Sequence, residues 1–349
     1  MSAAPFGRHP TTGEDVTRFT LAHAGEGGLR VSIIDLGATI TSVLCPDKDG
    51  SNDEITLGFD EAAPYGNGTS PYFGCVAGRY ANRIAKGSFV LDGKAVSIHT
   101  NNGPNHLHGG LVGFDKRMWK AVEHTPTSLK LELTSSDGDE GYPGTLTATV
   151  VYSLPTPMCL RIEYSASTDA PTVCNLTNHT YWNLKDGGAS AVTEHVISLE
   201  ADFYTPVDDT SIPTGEIKPV AGAMDLTKPV SIGEGLAAAD NGMGYDHNYC
   251  LRGPMGSDGL QEVGRVWEPS TGRAMTVRTD QPGVQFYTGN YLDGLAGHGG
   301  RVYARNHGFC LETQRFPDSP NRPHFPSATL RPREHYSHTT VHTFSIADK

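Results

Sequence analysis

Residues 145–154, TLTATVVYSL, alternate apolar and polar side chains along most of their length. Successive side chains of a β-strand point to opposite faces, so a period of two predicts one buried face and one exposed face. The side chains expected to face a core are Leu146, Ala148, Val150, Tyr152 and Leu154. The stretch is therefore predicted to be a half-buried strand.

Segments on both sides of this strand have the same alternation. Residues 129–133 alternate Leu with Lys130 and Glu132, and residues 160–166 alternate apolar residues with Arg161 and Glu163. Residues 135–144, between the first two runs, are rich in Ser, Asp, Gly and Pro, which favour turns. The three runs are predicted to be adjacent antiparallel strands.

The rest of the chain favours the same class of fold. It contains 41 glycines and 23 prolines, which implies many turns and few long helices. No window of 11 or more residues has a helical apolar period, and the best helical candidate, residues 235–240, is one or two turns long. We therefore predict an all-β protein, a large antiparallel β-sandwich with few short helices, forming a single domain over residues 1–349.

Charge and hydropathy exclude several classes of partner. The 39 acidic and 27 basic side chains give a formal charge of −12, which repels nucleic-acid phosphates and anionic lipid. We therefore expect no nucleic acid and no membrane among the partners. No stretch approaches 18 apolar residues and the N-terminus lacks an apolar signal core, so the predicted location is cytoplasmic. Six scattered cysteines are typical of reduced thiols, without disulfides or a Cys-based zinc site.

Two histidines two residues apart, His106 and His108, form the first candidate site. On a strand they would share a face, and a His-x-His pair can bind a metal. No further ligand follows at a short interval, so no metal is predicted. The alternative is structural, with one imidazole inside making hydrogen bonds and the other near solvent.

A second candidate is His179, which stands among amides, hydroxyls, Tyr181 and Trp182 in NLTNHTYWN, residues 175–183. Aromatic rings beside many hydrogen-bonding groups suit a sugar, which offers C–H faces and a rim of hydroxyls. The alternative is a hydrogen-bonded histidine in the core.

Glu312 interrupts an apolar, strand-like run, where the period of two places it on the same face as Cys310. A buried carboxylate is paired, lines a pocket or is catalytic, and burial in a neutral pocket would make it a better base. Further polar groups beside aromatics suit vicinal hydroxyls, although each also suits a turn or strand end: Asn82, Arg83, Asp246 and Gln285.

Taken together, these segments resemble the aldose 1-epimerase family, the galactose mutarotases. The resemblance extends from Leu36-Gly37-Ala38 to His338-Thr339-Thr340. In between it includes GRYANRIA (78–85), NNGPNHLHGG (101–110), NLTNHTYWNL (175–184), GYDHN (244–248), PGVQFYTGN (282–290) and CLETQ (310–314). It implies a galactose mutarotase-like supersandwich that interconverts the anomers of galactose, glucose and related aldoses. It implies no metal and no organic cofactor, and leaves open whether the protein is a monomer or a homodimer.

The resemblance also implies roles for particular residues. His179 matches the family's general acid and Glu312 its general base, and the hydroxyl-binding residues match Asn82, Arg83, His108, Asp246 and Gln285. The role of His106 stays open. We expect a protonated His179 and an ionised Glu312 near neutral pH, each charge favouring the other.

Three other functions fit parts of the pattern. A lectin would use the same aromatic surface without catalysis. A hexose-6-phosphate epimerase would need cations for a phosphate, which the net charge disfavours. A glycoside hydrolase would need a second catalytic carboxylate, for which Asp246 is the candidate.

Overall fold

The computed structural model describes residues 2–25 and 27–347, and strands dominate it. In the first half of the chain they are β1 (Ser2–Arg8), β2 (Asp15–Ala22), β3 (Arg30–Ile34), β4 (Thr39–Pro46), β5 (Asn52–Glu54), β6 (Val76–Ala77), β7 (Arg83–Ile84), β8 (Ser88–Leu91), β9 (Lys94–Ser97), β10 (His106–Leu107), β11 (Lys120–Thr125), β12 (Ser128–Ser135), β13 (Leu146–Thr156) and β14 (Cys159–Thr168).

The second half continues with β15 (Thr172–Val173), β16 (Thr177–Asn178), β17 (Val196–Leu199), β18 (Ala201–Thr205), β19 (Lys218–Pro219), β20 (Val230–Ser231), β21 (Asp246–Leu251), β22 (Gln261–Trp267), β23 (Arg273–Thr279), β24 (Gly283–Tyr287), β25 (Leu295–Ala296), β26 (Val302–Tyr303), β27 (Cys310–Gln314), β28 (Thr329–Leu330) and β29 (Tyr336–Ile346).

Helices are few and short, as predicted. The α-helices of the described chain are α1 (Ala63–Gly66) and α2 (Ile232–Leu236). Single 3₁₀ turns make up the rest: Ala85–Gly87, Phe114–Lys116, Asp139–Gly141, Val192–Glu194, Gly222–Met224, Ala239–Gly242, His298–Gly300 and Ser319–Asn321. The helix predicted at residues 235–240 is instead two separate elements, α2 and the turn at Ala239–Gly242.

The largest sheet has nine strands in the order β11-β12-β13-β14-β29-β23-β22-β17-β20, and its neighbouring strands are antiparallel. The three strands predicted from alternation, β12, β13 and β14, are adjacent within it. The apolar positions of β13 are buried and the alternate ones are half-buried, so the predicted inward face is confirmed.

Two five-stranded sheets pack against this sheet, with the orders β1-β2-β3-β4-β5 and β19-β18-β21-β24-β27. Buried side chains from all three sheets, such as Val150, Val31 and Phe286, belong to one apolar cluster. Each sheet therefore buries one face against the others, which is the predicted antiparallel sandwich.

The register of β21, β24 and β27 gathers polar side chains on one face. Asn248 pairs with Gln285, and Gln285 pairs with Glu312. Asp246, two residues before Asn248, and Cys310, two residues before Glu312, share this face because side-chain direction has a period of two. The sheet therefore carries three of the predicted site residues side by side, and Cys310 with them.

Arg79 anchors the segment that presents Asn82 and Arg83. Its side chain is buried, and its guanidinium donates to the carbonyls of Ser135, Ser136, Pro143 and Gly144 and to the hydroxyls of Ser135 and Thr172. These bonds satisfy the buried charge and attach the segment to the turn before β13.

All six cysteines are free thiols, of which Cys159 and Cys250 are half-buried and the others are buried. Within residues 2–25 and 27–347, no helix is both long enough and apolar enough to cross a membrane.

Candidate active site

A cavity of about 530 Å³ opens over the polar face of the β21-β24-β27 sheet. Its walls combine aromatic rings with amides, imidazoles, hydroxyls and carboxylates, a mixture that suits a small polar ligand. The lining residues are Pro71, Tyr72, Asn82, Arg83, Asn102, Gly103, Pro104, Leu107, His108, His179, Tyr181, Asp209, Thr210, Ser211, Asp246, Tyr287, Tyr291 and Glu312.

His179 and Glu312, which are 133 positions apart in the sequence, meet in this cavity. His179 follows β16 and Glu312 lies in the middle of β27. The Nε2 atom of His179 is 3.6 Å from Oε1 of Glu312, and both side chains are buried. One small molecule in the cavity can therefore contact both groups at once.

The imidazole of His179 is held on several sides. Its main-chain N–H donates to the carbonyl of Cys75 at 2.9 Å. The ring lies nearly parallel to that of Tyr181, with 5.1 Å between centroids, and also stacks on Tyr72. The Nδ1 atom is 3.6 Å from the Sγ atom of Cys310, so the ring has few orientations open to it.

Glu312 places a carboxyl group in a pocket with little to stabilise its charge. Oε1 faces His179, whereas Oε2 is buried without a hydrogen-bond partner. Burial raises the pKa of Glu312 well above its usual value, the charge of Asp246 raises it further, and Arg83 opposes them. A buried carboxyl oxygen without a partner calls for an explanation, and a ligand in the cavity that Glu312 lines can supply the missing hydrogen bond.

Burial has the opposite effect on the imidazole. It lowers the pKa of His179 to about 4, although the residue's own carbonyl and Asp246 favour the charged form. These directions oppose the expectation that both groups are charged near neutral pH, which stays a prediction. Desolvation is the largest influence on the pKa of each group, and it favours the uncharged form of both.

Asn82, Arg83 and Asp246 line the cavity together, as the sequence predicts. Nη1 of Arg83 is 3.9 Å from Oδ2 of Asp246, and its Nε donates to Oδ1 of Asn102 at 3.1 Å. Asn82 has a left-handed backbone (φ 63°), and its Oδ1 accepts the Arg83 main-chain N–H at 2.8 Å. A guanidinium and a carboxylate with few competing partners can hold neighbouring hydroxyls.

His108 also borders the cavity, but it does not share a strand face with His106. Strand β10 ends at Leu107, and His108 turns into the left-handed region (φ 49°). His106 points away from the cavity, where its Nδ1 donates to the His99 carbonyl and its Nε2 contacts the Tyr142 hydroxyl. The same-face prediction is wrong. The structural alternative holds for His106, the inner imidazole with hydrogen bonds, but its second imidazole, His108, is buried as well and not near solvent.

His108, His179 and Glu312 bring possible metal-ligand atoms within 4.8 Å of one another. The tautomer of His108 does not suit a metal ligand. Its Nδ1 accepts the main-chain N–H of Asn82 at 3.1 Å, so in the neutral ring the proton is on Nε2. His108 therefore offers the cavity a hydrogen-bond donor.

Gln285 does not border the cavity. Its Nε2 donates to Oδ1 of Asp246 at 2.7 Å, and its Oε1 accepts from Nε2 of Gln314 at 3.3 Å. The amide lies behind Asp246 and fixes the orientation of that carboxylate. A direct contact of Gln285 with a hydroxyl, as the resemblance implies, stays a prediction.

Several lining residues escaped the sequence analysis. Tyr72 contacts the rings of both His108 and His179, and it adopts a left-handed backbone (φ 67°). Asn102 orients Arg83, and Asp209 to Ser211 form part of the rim. Asn102 lies in a quoted segment, but nothing near Tyr72 or residues 209–211 signals a site, since loop packing brings them here.

A buried imidazole beside a carboxyl group, in a cleft with aromatic rings on an antiparallel β-sandwich, is the equipment of an acid–base enzyme that acts on sugars. The chain belongs to the aldose 1-epimerase family, whose model matches residues 18–343, and it is an isomerase. The resemblance found in the sequence is thereby confirmed.

Individual relatives cover almost the whole chain. Galactose mutarotases of Sus scrofa and Homo sapiens are each 46% identical to it, over 99% of both chains. Aldose 1-epimerase of Escherichia coli K12 is 39% identical over 91% of this chain and 92% of its own. The crystal structure of an aldose epimerase homologue from C. elegans superposes with a TM-score of 0.86 at 31% identity, covering 95% of this chain and 100% of the other.

Proposed function

We propose that this isomerase interconverts the α and β anomers of galactose, glucose and related aldoses, with His179 as general acid and Glu312 as general base. The observation that carries the proposal is the 3.6 Å between Nε2 of His179 and Oε1 of Glu312 inside a cavity rich in hydroxyl-binding groups. Relatives named galactose mutarotase and aldose 1-epimerase support the choice of substrate.

Changing an anomer requires two proton transfers. The bond between C1 and the ring oxygen breaks when the C1 hydroxyl loses a proton and the ring oxygen gains one. Glu312 takes the first proton and Nε2 of His179 delivers the second, so neither sugar oxygen carries a full charge. The aldehyde then rotates about the C1–C2 bond and the ring closes on its other face, with both transfers reversed.

The protonation states match the two stages of this reaction. The cyclic sugar requires an imidazolium and a carboxylate, whereas the open-chain aldehyde is accompanied by a neutral imidazole and a protonated carboxyl group. Both states contain the same number of protons. Because burial lowers the pKa of His179 and raises the pKa of Glu312, the pocket favours the neutral pair and therefore favours ring opening.

The remaining polar side chains hold the sugar while C1 turns. Arg83, Asn82 and Asp246 lie together on the cavity wall, and His108 adds a fixed N–H donor. They are suited to the hydroxyls away from C1. Arg83 is the only Lys or Arg among the described lining residues, next to three carboxylates. This balance disfavours a sugar phosphate as the substrate.

Polarimetry tests the proposal directly. Freshly dissolved α-galactose or α-glucose should reach its equilibrium rotation faster with the protein than without it. We expect His179→Asn and Glu312→Gln each to lower kcat by at least roughly 10²-fold while the far-UV circular dichroism stays unchanged. A lectin would bind the sugar without changing the rate, and wild-type turnover in either variant would remove that residue from the mechanism.

A further inference from the structure

The back of the His179 ring faces a sulfur atom. Nδ1 of His179 is 3.6 Å from Sγ of Cys310, a distance within the range of hydrogen bonds to sulfur. Cys310 is fully buried and lies in β27 two residues before Glu312, on the same face. One strand therefore supplies both the carboxyl group opposite Nε2 and the atom opposite Nδ1.

The proton transfers require a particular tautomer of His179. When the imidazolium gives the Nε2 proton to the ring oxygen, the neutral ring must keep its remaining proton on Nδ1. Nε2 then holds the lone pair that takes the proton back on ring closure. The hydrogen bond at one ring nitrogen decides which nitrogen is protonated, so the partner of Nδ1 controls the reactive atom.

We propose that Cys310 is a positioning residue whose sulfur accepts the Nδ1–H of His179 and so keeps Nε2 as the proton-exchanging atom. This role rests on the proposed function. Burial keeps the Cys310 thiol protonated by raising its pKa well above the usual value, so the sulfur is a neutral and weak acceptor. A carboxylate at this place would stabilise the imidazolium and make it a poorer acid. A thiol fixes the tautomer without that penalty.

The tautomer can be measured by NMR on protein labelled with ¹⁵N-histidine, since ring nitrogens with and without a proton have well separated shifts. In the wild type at neutral pH we expect His179 to carry its proton on Nδ1. In Cys310→Ala the ring should populate both tautomers, and kcat should fall roughly tenfold, equivalent to about 1.4 kcal/mol in the barrier. KM should change little because the hydroxyl-binding groups are untouched.

Two further variants make the test specific. Cys310→Ser retains an acceptor, so it should restore the Nδ1–H tautomer and most of kcat. Cys174→Ala removes another buried thiol, away from the cavity, and should leave the tautomer and kcat unchanged.

A wild-type tautomer in Cys310→Ala, or a kcat that does not change, would overturn the assignment. If Cys310→Ala does not fold, the His179 tautomer and kcat of Cys310→Ser test the proposal instead. A mixture of tautomers in that variant contradicts the proposal. His179→Asn in the same assay distinguishes a failure of the proposed mechanism from a failure of the Cys310 proposal. Full activity of His179→Asn would refute the general-acid role of His179, and a wild type that does not accelerate mutarotation would refute the proposed function. Inactivity of His179→Asn beside an unaffected Cys310→Ala would refute only the role of Cys310.

Discussion

Buried Gln285 and half-buried Asp246 form a pair in which the amide Nε2 donates to Oδ1 of the carboxylate at 2.7 Å. The second carboxylate oxygen, Oδ2, is left for Arg83 and for the cavity. Gln285 accepts in turn from Gln314, so its amide cannot flip without losing both bonds. If Asp246 binds a sugar hydroxyl as proposed, the direction of its carboxylate is set before binding, which lowers the entropy cost of binding.

The first prediction tests this pair. Gln285→Met keeps most of the side-chain volume but removes the donor, so the Asp246 carboxylate loses its fixed direction. We expect KM to rise roughly tenfold and kcat to stay within about twofold, since a lost hydrogen bond to a charged group weakens binding by about 1.5 kcal/mol. Steady-state polarimetry of both parameters is the measurement.

A matched control is Gln261→Met. Gln261 is also a buried amide, and it donates to the carbonyl of Gln281 outside the cavity. Gln261→Met should lower the free energy of unfolding by a similar amount without altering KM. Equal changes of KM in the two variants would show that Gln285 acts through general stability and not through Asp246.

The second prediction concerns the stability cost of the buried carboxyl group of Glu312. Its pKa in the folded protein is raised above the unfolded value of about 4.5. Its contribution is therefore most favourable below pH 4.5 and is lost as pH rises toward the folded pKa. Glu312→Gln cannot ionise and escapes this loss, so this variant should be more stable than the wild type at neutral pH.

Urea unfolding from pH 4 to pH 8 measures the effect. The stability gained by Glu312→Gln should be smallest near pH 4 and should increase with pH, by up to about 1.4 kcal/mol per pH unit. Glu123→Gln, at an exposed position on β11, serves as the control and should show no such trend. A constant difference at all pH values would contradict the raised pKa.

The third prediction concerns acid sensitivity. Burial lowers the pKa of five histidines to about 4: His106, His179, His195, His338 and His342. A base whose pKa is lowered on folding stabilises the folded state above its unfolded pKa of about 6.5. That contribution is lost as pH falls toward 4. The urea midpoint should therefore fall steeply between pH 6.5 and pH 4.

His342→Phe isolates one of these groups. His342 lies in β29 against Trp182, and its Nδ1 has no hydrogen-bond partner, so a phenyl ring gives up only the hydrogen bond between the imidazole and the backbone of Leu160. The acid slope should decrease by up to one proton, about 1.4 kcal/mol per pH unit. The same substitution at the exposed His335 should leave the slope unchanged, and an unchanged slope in His342→Phe would contradict the prediction.

The sequence predicts features that follow from a local pattern better than features that depend on tertiary contacts. Alternation over β12, β13 and β14 is a local pattern, so these strands, their faces and their adjacency were predicted correctly. The family motifs singled out six residues that the fold places in one cavity: His179, Glu312, Asn82, Arg83, His108 and Asp246. The roles of these residues, the single domain, the oligomeric state and the cytoplasmic location stay predictions.

Local pattern fails, or leaves a question open, where tertiary structure decides the outcome. The left-handed backbone of His108 separates it from His106, and no period in the sequence encodes that turn. The charges of His179 and Glu312 depend on how much water the assembled pocket excludes. Gln285 is a polar residue among aromatics, a pattern that does not distinguish a sugar contact from a carboxylate partner.

The last prediction tests how the chain holds His108 in that conformation. Gly109, the next residue, has φ +96°, and a Cβ atom there would lie 1.7 Å from the carbonyl oxygen of Gly78. No side chain fits this close approach, so Gly109→Ala must displace the loop that carries His108 or the segment that carries Asn82 and Arg83. We expect loss of most sugar binding and a clear loss of stability.

Gly93→Ala separates this clash from backbone strain. Gly93 also has a positive φ (+76°), but a Cβ there meets nothing within 4 Å. It should cost only about 1–2 kcal/mol, the penalty for an L-residue in the left-handed region, and leave KM unchanged. If Gly109→Ala matches Gly93→Ala in both stability and KM, then the contact between Gly109 and Gly78 does not hold the site, and His108 owes its position to its own bond with Asn82.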